Sequence, residues 1–195
     1  MWIVGSLVGG VLLIIGLGYL FVVTGDDEPV TARDLEVLVD IDHLAEWMDN
    51  GYVPEERAET VIKTRYIDGS YDLEYTYEES DSSLYLYSSV TVEQKISDAH
   101  TSYLALWGGF RLGWAMGDDA DVEFELVERN DMFEWGDQSR FGLMMADGSP
   151  VGNFFITRVD KNIFFFTVVG VFFDSEESFR GLVRGPLTQM ESYRP

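Results

Sequence analysis

The feature that most constrains this chain is an uncharged apolar segment near its N-terminus, WIVGSLVGGVLLIIGLGYLFVV, at residues 2–23. The first charged residue is Asp26. A helix of this length spans roughly 33 Å, which matches a bilayer hydrocarbon core of about 30 Å. We therefore predict one transmembrane helix within residues 1–25, in contact with membrane lipid. The alternative is a cleaved signal peptide, although this segment is longer than a usual signal core and no basic residue precedes it.

The orientation of this predicted helix rests on weak charge signals. The first basic residue after it is Arg33, so the positive-inside rule has little to act on. A short inner tail with the domain outside is the commoner arrangement for such an anchor. We therefore expect a single-pass membrane protein whose domain lies on the extracytoplasmic (periplasmic) side.

Two glycines four residues apart, Gly5 and Gly9, lie within the predicted membrane helix. Small residues at this spacing let two membrane helices approach closely. We expect a helix–helix contact there, with another membrane protein or with a second copy of this chain. The alternative is the ordinary glycine content of membrane helices.

The charge balance is strongly acidic, with 35 acidic and 13 basic residues and a formal net charge of -22. Binding to nucleic acid requires a basic footprint, so this class of function is excluded. The acidic loop of Asp118, Asp119 and Asp121 lacks the spacing of a calcium-binding loop, and we interpret it as solvated surface. We expect no metal and no cofactor.

A polar tether and a short helical neck are predicted for residues 26–58. Thr31 followed by Asp34 resembles a helix-start box. A second short helix is predicted at residues 43–48, before the C-cap pair Asn50-Gly51.

Two hairpins are predicted beyond this neck, because alternating strands flank compact turn sequences. The turns are Asp68-Gly69-Ser70 in the first hairpin and Asp147-Gly148-Ser149-Pro150 in the second. Residues 163–173 are apolar throughout and predict a central strand that is covered on both faces.

A long helix is predicted to follow the third strand, with Ser97 as its cap, and a last helix is predicted to start near Ser175 and to be interrupted at Gly185-Pro186. The order is three strands, a helix, four strands and a helix. It indicates an α+β domain at residues 59–195, in which a twisted antiparallel sheet packs against one long and one C-terminal helix.

This order of elements over residues 60–190 resembles the PsbP/Mog1-like fold, in which a curved sheet is covered by helices. Known members of that fold are adaptors and assembly factors more often than enzymes. The resemblance therefore implies a binding role, and it implies no site residue.

The long helix carries four aromatic residues at spacings of four, three and four: Tyr103, Trp107, Phe110 and Trp114. This spacing places them on one face of the helix. One interpretation is that they form the core seam against the sheet. The other is that part of this stripe lines an apolar pocket or touches a membrane interface.

Recognisable catalytic patterns are missing from the sequence. Without cysteine there is no thiol nucleophile and no thiolate zinc site. The chain has neither a nucleophile elbow nor a Walker A lysine. The histidines are His43 and His100, and the carboxylates near His43 match no specific ligand pattern. The sequence does not indicate an enzyme.

The leading functional hypothesis from the sequence is a membrane-anchored α+β domain that binds another protein as an accessory subunit of a membrane complex. The alternative is a domain that binds an apolar ligand or lipid in a pocket between the aromatic helix and the sheet. A hydrolase that uses paired carboxylates is a third hypothesis.

Overall fold

The computed structural model describes residues 25–48, 58–79, 84–116 and 122–195. In chain order, its elements are β1 (Gly25–Asp27), α1 (Ala32–Leu35), α2 (Ile41–Met48), β2 (Glu59–Tyr66), β3 (Tyr71–Glu78), β4 (Tyr85–Val92), α3 (Ile96–Ala115), β5 (Phe124–Glu128), β6 (Gln138–Ala146), β7 (Ser149–Val159), β8 (Asn162–Val169) and α4 (Glu176–Glu191).

The strands of the described residues form one eight-stranded antiparallel sheet in the order β1-β2-β3-β4-β8-β7-β6-β5. It consists of two four-stranded meanders that meet at the central pair β4–β8. After β4 the chain passes through α3 to the far edge strand β5 and then returns strand by strand to the centre. The structure therefore has the predicted α+β class with an antiparallel sheet.

The two predicted hairpins are present because their turn residues adopt the required backbone. Gly69 has a φ of 86°, and Asp68 accepts hydrogen bonds from the backbone N–H and the hydroxyl of Ser70 at 2.9 and 2.6 Å. In the second turn Asp147 and Gly148 have φ values of 49° and 72°. Asp and Gly tolerate this left-handed region better than other residues.

Helices cover both faces of the sheet and divide the core into two layers. On one side of the sheet, which we call the α4 face, α4 packs against β8 and α2 packs against α4. On the other side, here the α3 face, α3 packs mainly against β5, β7 and β8. All eight residues of β8 are buried because this central strand lies between both layers.

Two predictions for α3 and α4 differ from the structure. Helix α3 begins at Ile96 with Lys95 as its N-cap, so Ser97 lies inside the first turn. The predicted interruption at Gly185-Pro186 is wrong, since α4 continues to Glu191. Pro186 is buried on the side of α4 that packs into the core, and this packing offsets the backbone hydrogen bond that proline removes.

The predictions of a transmembrane helix, a single-pass membrane protein and an extracytoplasmic location are corrected here. None of the helices in the described residues is long and apolar enough to cross a bilayer. Even α3, with 20 residues, carries Asp98 and Arg111 and buries one face against the sheet. The segment predicted as the anchor, including the Gly5 and Gly9 contact, lies outside the described residues.

The predicted tether and neck form part of the domain where the structure describes them. Strand β1 lies at the edge of the sheet and pairs with β2, from Gly25 opposite Tyr66 to Asp27 opposite Thr64. The following segment is anchored in the α4-face core by buried apolar residues, which are Val37, Leu38, Val39, Ile41 and Leu44.

Candidate functional site

The four aromatic residues of the stripe on α3 lie together in one buried cluster. The exposed fractions of Tyr103, Trp107, Phe110 and Trp114 are at most 7%. Trp107 stacks on Phe154 with ring centroids 5.1 Å apart. These rings contact other core side chains directly, which is the geometry of a core seam.

The C-terminal half of the stripe makes further contacts with the sheet. Phe110 meets the ring of Phe165 edge to face at 5.2 Å. The indole N–H of Trp114 donates to the carbonyl oxygen of Glu125 on β5 at 3.0 Å. This satisfies the one polar atom that the buried indole brings into the layer.

The outer face of α3, opposite the stripe, exposes apolar side chains to solvent. Leu104, Leu112 and Met116 are 46%, 61% and 69% exposed. Gly108 lies between the two leucines at the same spacing of four, and a side chain there would meet open space. Arg111 is the only charged residue at positions 101–116. An apolar helix surface is therefore present on a chain of net charge -22.

A second unusual surface lies on the α3 face of β3 and β4. Because β3 buries Leu73, Tyr75 and Tyr77 in the α4-face core, the residues between them point to the α3 face. The strand register aligns this row with side chains of β4. Five residues form this surface, which we call the acid–tyrosine cluster: Asp72, Glu74, Glu78, Tyr85 and Tyr87.

Asp72 is held by two hydroxyl donors from neighbouring strands. Its carboxylate accepts from Tyr66 at 2.7 Å and from Thr91 at 2.6 Å. Burial raises the pKa of Asp72, although these two hydrogen bonds act in the opposite direction. The negative charge of Asp68 adds to the rise in pKa.

Glu74, the next residue in this row, titrates near neutrality. Burial raises the pKa of Glu74 to about 7, and the negative charge of Asp72 adds to the shift. A hydrogen bond with Tyr87 opposes it. Tyr87 is itself buried, and burial together with the charge of Glu74 raises the pKa of its hydroxyl.

Tyr85 is fully buried, and its hydroxyl has no hydrogen-bond partner in the described part of the chain. It lies directly across the strand pair from Glu78. Burial raises the pKa of Tyr85, and the charges that contribute further are Glu78 and Glu74. A buried hydroxyl without a partner is uncommon in folded proteins, so this one requires an explanation.

The α4 face contains a buried carboxylate with the opposite electrostatics. Both carboxylate oxygens of Asp34 lie 3.1 Å from Nζ of Lys63, and the hydroxyl of Tyr193 donates to the same group. Burial alone would raise the pKa of Asp34, but hydrogen bonds from Tyr193, Thr31 and Lys63 lower it. This network joins the N-terminal segment, β2 and the C-terminus, and its role is structural.

The two histidines lie apart from the acid–tyrosine cluster. His43 lies in an open cleft of about 360 Å³ between the N-terminal helices and α4. Its Nδ1 is 2.6 Å from Asp40, whose carboxylate also accepts the backbone N–H of His43 at the start of α2. The hydrogen bond with Asp40 raises the pKa of His43, and the arrangement is that of a helix cap. His100 contacts Gln138 on β6 at 2.9 Å.

Metal binding by carboxylates and histidines has no support in the residues that the structure describes. No three such side chains among them are grouped so that they could hold one ion. The predicted surface loop with Asp118, Asp119 and Asp121 lies outside the described residues.

Sequence reasoning missed the acid–tyrosine cluster, although part of its signal is present. The strands YDLEYTYE and YLYSSVTV place acids on one side of β3 and tyrosines at alternate positions of β4. That alternation assigns the residues to one face. It does not reveal that Tyr85 is buried without a partner.

Comparisons with protein-family models, with curated proteins and with solved structures find no match for this chain. The likeness to the PsbP/Mog1-like fold therefore stays a prediction based on element order.

Proposed function

We propose that this domain binds another protein in an accessory role, with the outer face of α3 as the docking surface. The observation that supports the proposal is the exposure of Leu104, Leu112 and Met116 on this helix. An exposed apolar helix face with few charges is the composition found at the centre of protein–protein interfaces.

The charge of the chain defines the chemistry of the partner. A second copy would bring two chains of net charge -22 together, and their repulsion opposes self-association at low salt. A partner with an apolar patch bordered by lysine and arginine matches both the helix face and the net negative charge of the chain.

The packing of α3 favours this proposal over a ligand pocket under the same helix. The rings of Trp107 and Phe110 lie 5.1 and 5.5 Å from the ring of Phe154, so side chains occupy that space. An apolar ligand would have to displace this aromatic layer.

The test is a double substitution on the docking surface, Leu104→Gln with Leu112→Gln. The tagged full-length chain is recovered from the cells that produce it, and co-purifying proteins are identified by mass spectrometry. The affinity of the purified partner is then measured by calorimetry. We expect the double substitution to weaken it at least about tenfold, because it removes apolar contacts from the centre of the interface.

The matched control is Ile67→Gln, which changes an apolar side chain that is 80% exposed in the turn between β2 and β3. This variant should bind like the unsubstituted chain. Equal affinity of all three chains would contradict the proposal. If the chain instead forms a concentration-dependent dimer, and the double variant does not, the docking surface would bind a second copy of this chain and not a different protein.

A further inference from the structure

The acid–tyrosine cluster is a half-buried negative region without a counter-charge among the described residues. The charged groups that shift the pKa of Asp72 and Glu74 are themselves acidic, and no basic side chain of the described residues contributes. Buried charges in proteins are normally paired. Lys63 supplies that pairing to Asp34 on the opposite face, so the chain has a way to balance a carboxylate that it does not use here.

The unpartnered hydroxyl of Tyr85 independently indicates a ligand at the same place. It is fully buried, lies opposite Glu78 in the strand register and is influenced by Glu78 and Glu74. Its oxygen has free lone pairs that accept a hydrogen bond from an N–H donor. The orphan hydroxyl and the unbalanced carboxylates therefore require the same kind of group, a cation that donates hydrogen bonds.

The spacing of the carboxylates favours an extended organic cation. Glu74 and Glu78 are four residues apart on one strand, which places their Cα atoms roughly 13 Å apart. The described acids include no set of three that could share one metal ion. A linear chain with several ammonium groups meets such carboxylates one after another.

We propose that the α3 face of β3 and β4 binds a linear polyamine. One ammonium group pairs with Glu74 beside Asp72. A second ammonium group pairs with Glu78 and donates to the hydroxyl oxygen of Tyr85. This site is separate from the docking surface on the outer face of α3, and it does not depend on the function proposed for that surface.

Binding of the polyamine is coupled to the loss of a proton from Glu74. The titratable groups that interact with Glu74 are Asp72 on β3 and Tyr85 and Tyr87 on β4. Only the ionised form of Glu74 pairs with an ammonium group, and its pKa is raised to about 7. The affinity should therefore rise about tenfold between about pH 6 and about pH 8, because the ionised fraction increases by that factor.

The experiment is calorimetric titration of the full chain with spermidine, putrescine and n-butylamine at constant ionic strength. We expect saturable binding with affinity in that order, because each added ammonium group finds a further carboxylate. Glu74→Gln and Glu78→Gln should each weaken spermidine binding at least about tenfold, and Tyr85→Phe several-fold. Glu74→Gln should also remove the dependence on pH.

The matched control is Glu125→Gln, which removes one negative charge from an exposed position on β5 and should leave the affinity unchanged. A response that does not saturate, or one that falls equally in the control, would identify a diffuse counterion atmosphere and overturn the proposal. Displacement of spermidine by equimolar calcium or magnesium would overturn it in favour of a metal site. Tighter binding of a lysine-containing peptide than of spermidine would overturn it in favour of a protein segment. Unchanged affinity of Tyr85→Phe would remove the tyrosine from the site and, with it, the basis of the proposal.

Discussion

Asp34 on the α4 face and Glu74 on the α3 face are both carboxylic acids within the same sheet domain, yet their surroundings treat the negative charge in opposite ways. Asp34 receives hydrogen bonds from Tyr193, Thr31 and Lys63, so its pKa falls although burial acts in the opposite direction. Burial raises the pKa of Glu74 to about 7, the charge of Asp72 adds to the shift, and no basic side chain of the described residues opposes it. Burial acts to raise the pKa of both groups, and the hydrogen bonds that Asp34 receives from Tyr193, Thr31 and Lys63 reverse the direction of its shift. The buried carboxylate on the α4 face is therefore balanced within the protein. The carboxylates on the α3 face can still bind a proton or a cation.

The largest expected effect on stability comes from removing the lysine that pairs with Asp34 on the α4 face. Lys63→Met should lower the free energy of unfolding by about 3 to 5 kcal/mol, because it leaves the buried charge of Asp34 without its partner. Urea unfolding monitored by tryptophan fluorescence measures this change. Lys95→Met, at an exposed lysine before α3, is the matched control and should change stability by less than about 0.5 kcal/mol. Equal effects of the two substitutions would show that the buried pair is not important for stability.

The raised pKa of Glu74 on the α3 face should be visible in the pH dependence of stability. The folded pKa of Glu74 is about 7, above its ordinary value of 4.5, so the folded state binds the proton more tightly than the unfolded state. The stabilisation is complete below about pH 4.5 and is lost as the pH rises through about 7. We expect a loss of about 2 kcal/mol, less than the whole shift implies because the side chain is partly solvated.

Glu74→Gln is the variant that isolates this contribution. Its stability should change less between about pH 5 and about pH 8 than that of the unsubstituted chain, as measured by thermal unfolding across that range. A parallel pH profile in both chains would assign the titration to another group.

The smallest expected effect concerns the unpartnered hydroxyl. Tyr85→Phe removes a buried polar atom that has no partner among the described residues, so the free energy of unfolding should increase by about 1 kcal/mol in the absence of ligand. Tyr193→Phe is the matched comparison because its hydroxyl donates to Asp34, and it should lower stability instead. Destabilisation by Tyr85→Phe would mean that this hydroxyl already has a partner within the chain.

The order of the elements could be predicted from the sequence because the signals are local. Alternation of apolar residues and the turn at Gly69 determine the first hairpin, and the apolar run in β8 marks the central strand. Strand β1 could not be predicted, since GDD has no apolar alternation and its pairing depends on main-chain hydrogen bonds with β2. The continuation of α4 through Pro186 depends on tertiary packing, which a local rule for proline does not contain.

The candidate sites were predictable to different degrees. The aromatic stripe from Tyr103 to Trp114 follows from helical spacing alone, whereas which side of α3 is buried requires the sheet. The contrast between Asp34 and Glu74 is not local at all, because Lys63 is 29 residues from Asp34 and no basic side chain of the described residues acts on Glu74. In the sequence both residues are ordinary carboxylic acids, and only the fold gives their pKa values opposite shifts.

The central pair β4–β8 has a consequence for the way in which this chain reaches its native state. Apart from the β1–β2 pair, whose strands are separated by α1 and α2, the pairings within each meander join strands that follow one another directly in the chain, so they close short loops. The β4–β8 ladder instead joins Tyr85 to Val169, with α3 and three strands between them in the chain. Contacts of such high sequence separation slow folding, because a long loop must be ordered before they form. The two meanders are therefore expected to form early, and their union along β4–β8 is expected to limit the folding rate.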